Sequence, residues 1–501
     1  MYTFSSKLKT FSFILMILGL LGVGYAFFTA PSTVQEVEAI LAEQHDGHDS
    51  HSTVVHNDAA EHKEHTTTET EKTVVAPVAV ISTDSSVANT SILKDTIAVS
   101  STLVANKVVT AKTPIASSSY VNKNNKIDEH AEHQAHLEHV LHQLSNKPWA
   151  AVYVAAIFFL LLTMGVLAFY AIQIVAQAGW SPVLFRVMQG ITAYLPVGSI
   201  IFFILLILSG LHFNHLFVWM DADVVAADKL IQNKSGYLNF PFWIARAAIF
   251  LIGWNLYNYY TKKFCLAQDR ATDNLQYKKN FNASAIFMVF FIVSESIMSW
   301  DWIMSVDPHW FSTLFGWYVF ASFFVSGITV IMLVTIFMKS LNLLPNVNTS
   351  HLHDLAKFIF GFSIFWTYLW FSQFMLIWYA NIPEEVTYFI TRIEDYQIPF
   401  FATIGMNFLF PVLILINTDF KRISWILVMA GIVILLGHYV DFFVMIMPAT
   451  VGDQWFIGIA EIGSVLFFLG LFIFVVFTAM AKSPLLPERH PLIEESKHFH
   501  Y

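Results

Sequence analysis

Long apolar stretches separated by polar connections recur ten times along the chain. About 20 apolar residues make a helix long enough to cross the ~30 Å hydrocarbon core of a bilayer. On that measure the pattern predicts ten transmembrane helices: 10–29, 149–178, 191–218, 240–261, 282–304, 311–338, 356–380, 397–417, 422–447 and 457–481. The expected fold class is an all-α integral membrane protein. The connections alternate in charge. Arg186, then Lys262, Lys263, Arg270, Lys278 and Lys279, then Lys339 and the Lys421-Arg422 pair belong to one set. Asp221, Asp223 and Asp228, then Glu384, Glu385, Glu394 and Asp395 belong to the other. Cytoplasmic connections carry the excess of Lys and Arg, so an inner-membrane protein with both termini in the cytoplasm is expected.

Composition agrees: 56% of the 501 residues are hydrophobic and 13% charged, more apolar surface than a soluble fold could hide. The formal charge of −9 arises largely in the segment 30–148 and the acidic connections, which gives a nucleic-acid partner no support. The single cysteine, Cys265, excludes a disulfide framework and a self-supplied cysteine-ligated iron–sulfur cluster. Lys7 and Lys9 ahead of the apolar run 11–28 imitate a signal peptide. The run is longer than most such cores, and Phe28-Thr29-Ala30 lacks the small residue expected three before a cleavage point, so a retained helix is expected.

Five regions follow: a first helix, 1–29; a His-rich, low-complexity loop, 30–146; helices two to five, 147–308; helices six to nine, 309–448; and a tenth helix with a tail, 449–501. The loop is rich in Ser, Thr, Val, Ala, Asn and His and is expected to be periplasmic and mostly disordered. It carries His45, His48, His51, His56, His62 and His65, then His130, His133, His136, His139 and His142, the second group on an expected short helix at 127–144. Such a stripe could bind Zn²⁺ or Cu²⁺, but a solvated, low-complexity tether or a segment that pairs with an acidic partner is the favoured reading, and no metal site is assigned. Helices two to five and six to nine each make four crossings and are expected to be parallel repeats about an axis along the membrane normal. A faint echo supports this: Asp301, Ile303-Met304, Asp307 and Trp310 against Asp441, Ile446-Met447, Asp453 and Trp455.

Ionisable residues at membrane depth are costly and are functional candidates by default. Glu295 lies within helix five, with Ser299 and Trp302 on its face. His438 and Asp441 are three apart in helix nine. In helix seven Lys357, Gly361, Ile364, Tyr368 and Ser372 follow one stripe. Glu295, His438, Asp441, Lys357 and Tyr368 are the proton-transfer candidates, because such groups in a low dielectric have movable pKa values. His212, His215, Asp221, Asp301, Asp307 and His309, near the outer ends, are the candidates for quinol contact and proton exit. Arg246 could instead glue helices through a carboxylate. A b-type haem needs facing histidines at matching depth. Only His438 lies well inside a span, so no haem is expected.

The passages Ala178-Gly179-Trp180-Ser181-Pro182-Val183-Leu184-Phe185-Arg186, His212-Phe213-Asn214-His215, Ser294-Glu295-Ser296-Ile297-Met298-Ser299-Trp300-Asp301-Trp302 with Asp307-Pro308-His309-Trp310, and Asn381-Ile382-Pro383-Glu384-Glu385-Val386-Thr387-Tyr388 carry a resemblance. From about Lys147 to Tyr501 the chain resembles the NrfD-like family of membrane subunits, and within it the second of the quinol-oxidoreductase membrane subunits of bacterial alternative complex III. The resemblance implies two four-helix bundles and a place in a menaquinol:cytochrome c oxidoreductase. The implied partners are a homologous membrane subunit, a periplasmic iron–sulfur protein, multihaem cytochrome c subunits and often a terminal cytochrome oxidase. Haem c and iron–sulfur clusters would then belong to the partners, with menaquinone the quinone. The His-rich loop inherits no role. Two other functions fit the pattern. An ion-coupled transporter would share the repeat and buried charges, with Pro196 and Pro411 as interruptions; Pro241, Pro308 and Pro448 are placed at helix ends. A structural anchor for redox proteins would need no buried acid.

Overall fold

The computed structural model describes residues 2–49 and 123–500, with side chains described over 2–42 and 133–500. Residues 1–40 with 133–501 form one compact unit and 41–132 a second, of which only the helical ends 41–49 and 123–132 are described. His51, His56, His62 and His65 lie outside the described residues. Among the described residues there is no β-strand, and ten helices are long and apolar enough to cross a membrane. The protein is an all-α, multi-pass membrane protein. The ten helices are α1 (Ser6–Thr29), α2 (Lys123–Val175), α3 (Pro182–Gly210), α4 (Phe240–Gln268), α5 (Leu275–Trp302), α6 (Phe315–Ser340), α7 (Thr349–Ala380), α8 (Gln397–Leu415), α9 (Ser424–Val451) and α10 (Ile459–Ala481).

Two spans that are apolar all round, residues 149–175 of α2 and α6, are buried on nearly every face and form the centre. They touch backbone to backbone: a Cβ on Gly327 would come within 2.8 Å of the Gly165 carbonyl carbon. The same neighbour relations surround each. Around α6, α6 packs on α7 and α9, α8 on α9, and α7 on α8. Around α2, Tyr153 packs on Phe202 of α3 and donates to the Trp302 carbonyl of α5 at 2.8 Å, while α4 packs on α5 and α3 on α4. This is the expected pair of pseudo-repeated four-helix bundles. Outside them α1 lies along α10 so closely that a Cβ on Gly19 would fall 2.6 Å from the Gly463 carbonyl oxygen.

Several expected boundaries shift. The helix expected at 191–218 is α3, nine residues earlier at its start, and it ends at Gly210 with His212 in the left-handed region (φ 59°). The apolar residues beyond it, Leu216, Phe217 and Trp219, belong to a loop buried against the bundle end. Arg186 therefore sits inside α3, buried and ion-paired with Asp269, rather than in a connection. The short histidine helix is continuous with α2, whose chain passes through Pro148. Likewise α9 runs through Pro448 to Val451 instead of stopping before it.

Proline removes a backbone donor and crowds the carbonyl four residues back. Pro196 follows a 3₁₀ turn, Thr192–Tyr194, and the Thr192 carbonyl accepts from Asn258 Nδ2 at 2.9 Å. Pro411 follows a π turn, Gly405–Leu409, that carries buried Asn407. At the lysine-rich end the segment after α10 straps both bundles. Ser496 Oγ donates to the Trp180 carbonyl at 2.7 Å, its own carbonyl lies 3.1 Å from His351 Nε2, and Asn348 donates to the Phe499 carbonyl.

Candidate functional site

The most complete buried polar network is in the second bundle. Asp441 of α9 accepts hydrogen bonds from Tyr318 Oη and Ser322 Oγ (2.8 Å) of α6 and from Trp366 Nε1 (2.9 Å) of α7. Tyr318 and Ser322 are one turn apart, so one face of α6 presents both. His438, one turn from Asp441, sits with Nδ1 2.9 Å from Ser322 Oγ and 3.9 Å from the carboxylate. Proton count fixes the directions. Ser322 has a single hydroxyl proton; donating it to Asp441, it must accept from His438 Nδ1–H. The neutral imidazole then keeps its lone pair on Nε2, which is buried without a hydrogen-bond partner. With Asp441 protonated the chain reverses: the carboxyl donates to Ser322, Ser322 donates to Nδ1, and the neutral imidazole then carries its proton on Nε2. The two arrangements differ by one added proton and by the imidazole tautomer. Asn407, in the π turn of α8 and against Gly437, also has both amide atoms buried and unpartnered.

A cleft of about 90 Å³ reaches into this bundle from the acid-rich end, bordered by Asp307, Trp310, Tyr388, Arg392 and Phe315. At ~30 Å³ per water it has room for about three. Arg392 crosses the face of Tyr388, donates to the Tyr388 and Met445 carbonyls, and leaves Nε unpartnered. Burial pushes the Tyr388 hydroxyl above its ordinary range. Phe315 is one turn before Tyr318, so the cleft ends about one helical turn short of the network.

The first bundle treats its acids differently. Asp301, buried in α5, takes a bidentate ion pair from Arg246 of α4, at 2.6 Å from Nε and 2.9 Å from Nη2. Tyr237 and Phe242 stack over that guanidinium. Asp301 is thus fully enclosed, not open at the outer face as expected for a quinol contact. Glu295 is buried on the face shared with Ser299 and Trp302, as the spacing predicts. Among the described residues its one hydrogen bond is from Ser296 Oγ at 3.2 Å, and Oε1 has no partner. It lies seven residues, about 10 Å, before the end of α5.

At the acid-rich end, His215 Nδ1 lies 3.0 Å from both oxygens of Asp221, and His212 lies 3.4 Å away. These residues are in the loop after α3, so the loop and not a shared helix face brings them together. His309 pairs with Asp228 and has Asp307 3.9 Å away. The His309 hydrogen bond holds the Asp228 carboxyl below the usual range. Lys357 pairs with Asp354 at 2.6 Å near the lysine-rich start of α7. Tyr368 is 63% exposed and faces away from the bundle. The stripe that carries it is the outward face of α7; the inward face holds Ser363, Trp366 and Gln373. Tyr368 is therefore removed from the inward proton path.

Pattern alone missed Tyr318, Ser322, Trp366, Asn407 and Arg392. The first four are uncharged residues in apolar runs and give no signal until the helices are placed beside one another. Glu461 was missed too, although a charge in an apolar run is visible; its capping bond from Gly458 N (2.8 Å) places it at the start of α10. Among the described residues no three His, Cys, Asp or Glu side chains converge as a metal site would require. No protein-family model matches the chain, and no curated protein matches it either.

Proposed function

We propose that the chain is an NrfD-like membrane subunit of a bacterial quinol:cytochrome c oxidoreductase of the alternative complex III kind, and that it supplies a proton-transfer route. It would lie in the inner membrane with both termini cytoplasmic and the His-rich loop periplasmic, which the lysine and acid distribution of the two ends supports. The partners would be a homologous membrane subunit, an iron–sulfur protein and multihaem cytochromes, which carry the electrons.

One observation carries the reading. Asp441, deep in an apolar bundle, is held by neutral donors and linked through Ser322 to a histidine whose second nitrogen is vacant. A group kept only for adhesion would be paired with a cation, as Asp301 is. Menaquinol oxidation by two electrons releases two protons. His215 with Asp221 and His309 with Asp228 are bases at the acid-rich end suited to receive them. The Asp307 cleft, Tyr318, Asp441, Ser322 and His438 form the deeper route, and Glu295 is the corresponding buried acid of the first bundle.

The test is quinol oxidation and proton release per electron in reconstituted complexes carrying Glu295→Gln or Asp441→Asn. Intact assembly with impaired turnover or coupling is expected. Wild-type values in both variants would leave the subunit a scaffold. The interrupted helices α3 and α8 favour a second reading, an ion-coupled transporter. Solute-coupled proton flux by the isolated chain in liposomes would establish that reading instead.

A further inference from the structure

A groove of about 1320 Å³ runs between α3 and α4, larger than the ~300–1,000 Å³ pockets that hold a single drug-sized molecule. Its rims are Ile200 and Ile204 on α3 and Ile252 on α4, all exposed, so it opens onto the surrounding lipid. Polar side chains are few along its floor: Ser199 and Asn255 bond to each other at 2.8 Å. From Ala248 to Tyr259 the α4 wall rises about 17 Å at ~1.5 Å per residue. That is close to the hydrocarbon depth of one leaflet, about half of ~30 Å. Tyr259 and Tyr260 are exposed at the level where an aromatic belt belongs.

Immediately beyond this level the lining turns cationic, with Lys262 and Lys263 of α4, Arg270 just after α4 and Lys482 just after α10. Among the described residues, none of these four has a carboxylate at ion-pairing distance. Asp269, next to Arg270 in sequence, is taken by Arg186. The charges that act on Lys262 are Arg186 and Lys482, both positive. Mutually repelling cations at the mouth of an apolar groove one leaflet deep lack an anion.

We propose that this groove is a binding site for one phospholipid with an anionic headgroup. Its acyl chains lie against Ile200, Ile204 and Ile252, and its phosphate sits among Lys262, Lys263 and Lys482. A transmembrane helix of a partner does not fit the same features, because it would cross both leaflets whereas the apolar wall is one leaflet deep.

Native mass spectrometry of the full chain, released from detergent with added phosphatidylglycerol or chain-matched phosphatidylcholine, tests the site. Phosphatidylglycerol is expected to bind more tightly. Lys262→Gln, Lys263→Gln and Lys482→Gln are each expected to weaken it about fivefold, the effect of ~1 kcal/mol per basic residue. Ile204→Trp, which fills the groove and leaves the charges, is expected to remove the bound lipid. Lys278→Gln with Lys279→Gln takes two exposed charges from the same end but outside the groove, and is expected to change nothing. Equal retention of the two lipids would overturn the proposal. So would equal weakening by the Lys278/Lys279 control, binding of glycerol phosphate without chains as tightly as the lipid, or an isoprenoid quinone or second membrane chain lost selectively with Ile204→Trp.

Discussion

Each bundle buries an aspartate in its fourth helix, Asp301 in α5 and Asp441 in α9, and the two treat it in opposite ways. Asp301 is locked by the Arg246 fork, and Trp243 Nε1 donates to its backbone carbonyl at 2.8 Å. Neutralising Asp301 would leave a buried guanidinium uncompensated, so the pair is fixed. Asp441 meets only a phenol, a hydroxyl and an indole, with an imidazole one hydroxyl away. Its charge can be cancelled by a proton without stranding a cation. The same four-helix scaffold thus yields one acid that fastens helices and one that can change state.

The largest expected effect comes from breaking the fixed pair. Arg246→Met leaves Asp301 charged and buried, a loss of about 3–5 kcal/mol. A clear fall in the thermal unfolding midpoint in detergent, and in yield, is the expected readout. Arg246→Met with Asp301→Leu should recover most of that loss, since two apolar groups replace two charges. A single variant as stable as wild type would show the pair to be idle.

Asp441 should separate stability from activity. In Asp441→Asn the three donors keep one oxygen to bond, so the stability cost is about 1–3 kcal/mol. Turnover or proton release should fall by about a hundredfold, the lower end of what a positioned proton-transfer group contributes. Ser322→Ala should do the same while leaving Asp441 its bonds from Tyr318 and Trp366. Asp301→Asn should show the reverse, poor yield with normal coupling in whatever assembles. Matching behaviour of Asp301→Asn and Asp441→Asn would erase the distinction between the bundles.

Ten spans, the repeat and the depth of Glu295, His438 and Asp441 were legible because apolar length and isolated charges are local signals. What was lost depends on contacts between distant residues. Arg186 read as a connection charge because its neutralising partner, Asp269, comes 83 residues later. The end of α3 was misplaced because Leu216, Phe217 and Trp219 are as apolar in a buried loop as in a span. On α7 the periodicity was right and the face wrong, since a membrane helix is apolar on its lipid side and hydropathy cannot rank the two sides. Tyr318 and Ser322 are ordinary in sequence and acquire meaning only when α9 brings Asp441 beside them.

A smaller effect concerns the strap after α10. His490 packs edge-on against Phe185 and Tyr277, both of the first bundle. Burial pushes its imidazole down to about 4. A histidine with a depressed folded pKa is neutral in both states above its ordinary value near ~6.5, and below that the unfolded form gains protons first. Docking of the strap on the first bundle should therefore weaken as pH falls from about 6.5 toward 4. Limited proteolysis around 483–492 should accelerate over that window in wild type and much less in His490→Phe.

The smallest effect is at the acid-rich end, where the bundles again differ. In the first, Asp228 caps the short helix Lys229–Lys234 through Leu230 N (2.7 Å) and Ile231 N (3.2 Å), and pairs with His309 of the α5–α6 connection. In the second, the corresponding ties are Tyr396 Oη to the Gly452 carbonyl (2.5 Å) and Trp455 Nε1 to the Asp395 carbonyl (2.7 Å). Burial pushes the Tyr396 hydroxyl well above its ordinary range, so neither tie titrates in acid. The Asp228 carboxyl is held low, chiefly by the His309 hydrogen bond. A carboxyl with a depressed folded pKa contributes its full stabilisation above its ordinary value near ~3.9 and loses it as pH falls through the lower, folded value. Below about pH 4, amide exchange should thus rise at 229–238 and 307–310 while 395–396 and 452–455 keep their protection. Asp228→Asn should shift the first pair of segments toward fast exchange at neutral pH and leave the second pair unchanged. Parallel loss at both ends in acid would mean that the whole bundle end opens together, and that the Asp228–His309 contact does not act as a separate latch.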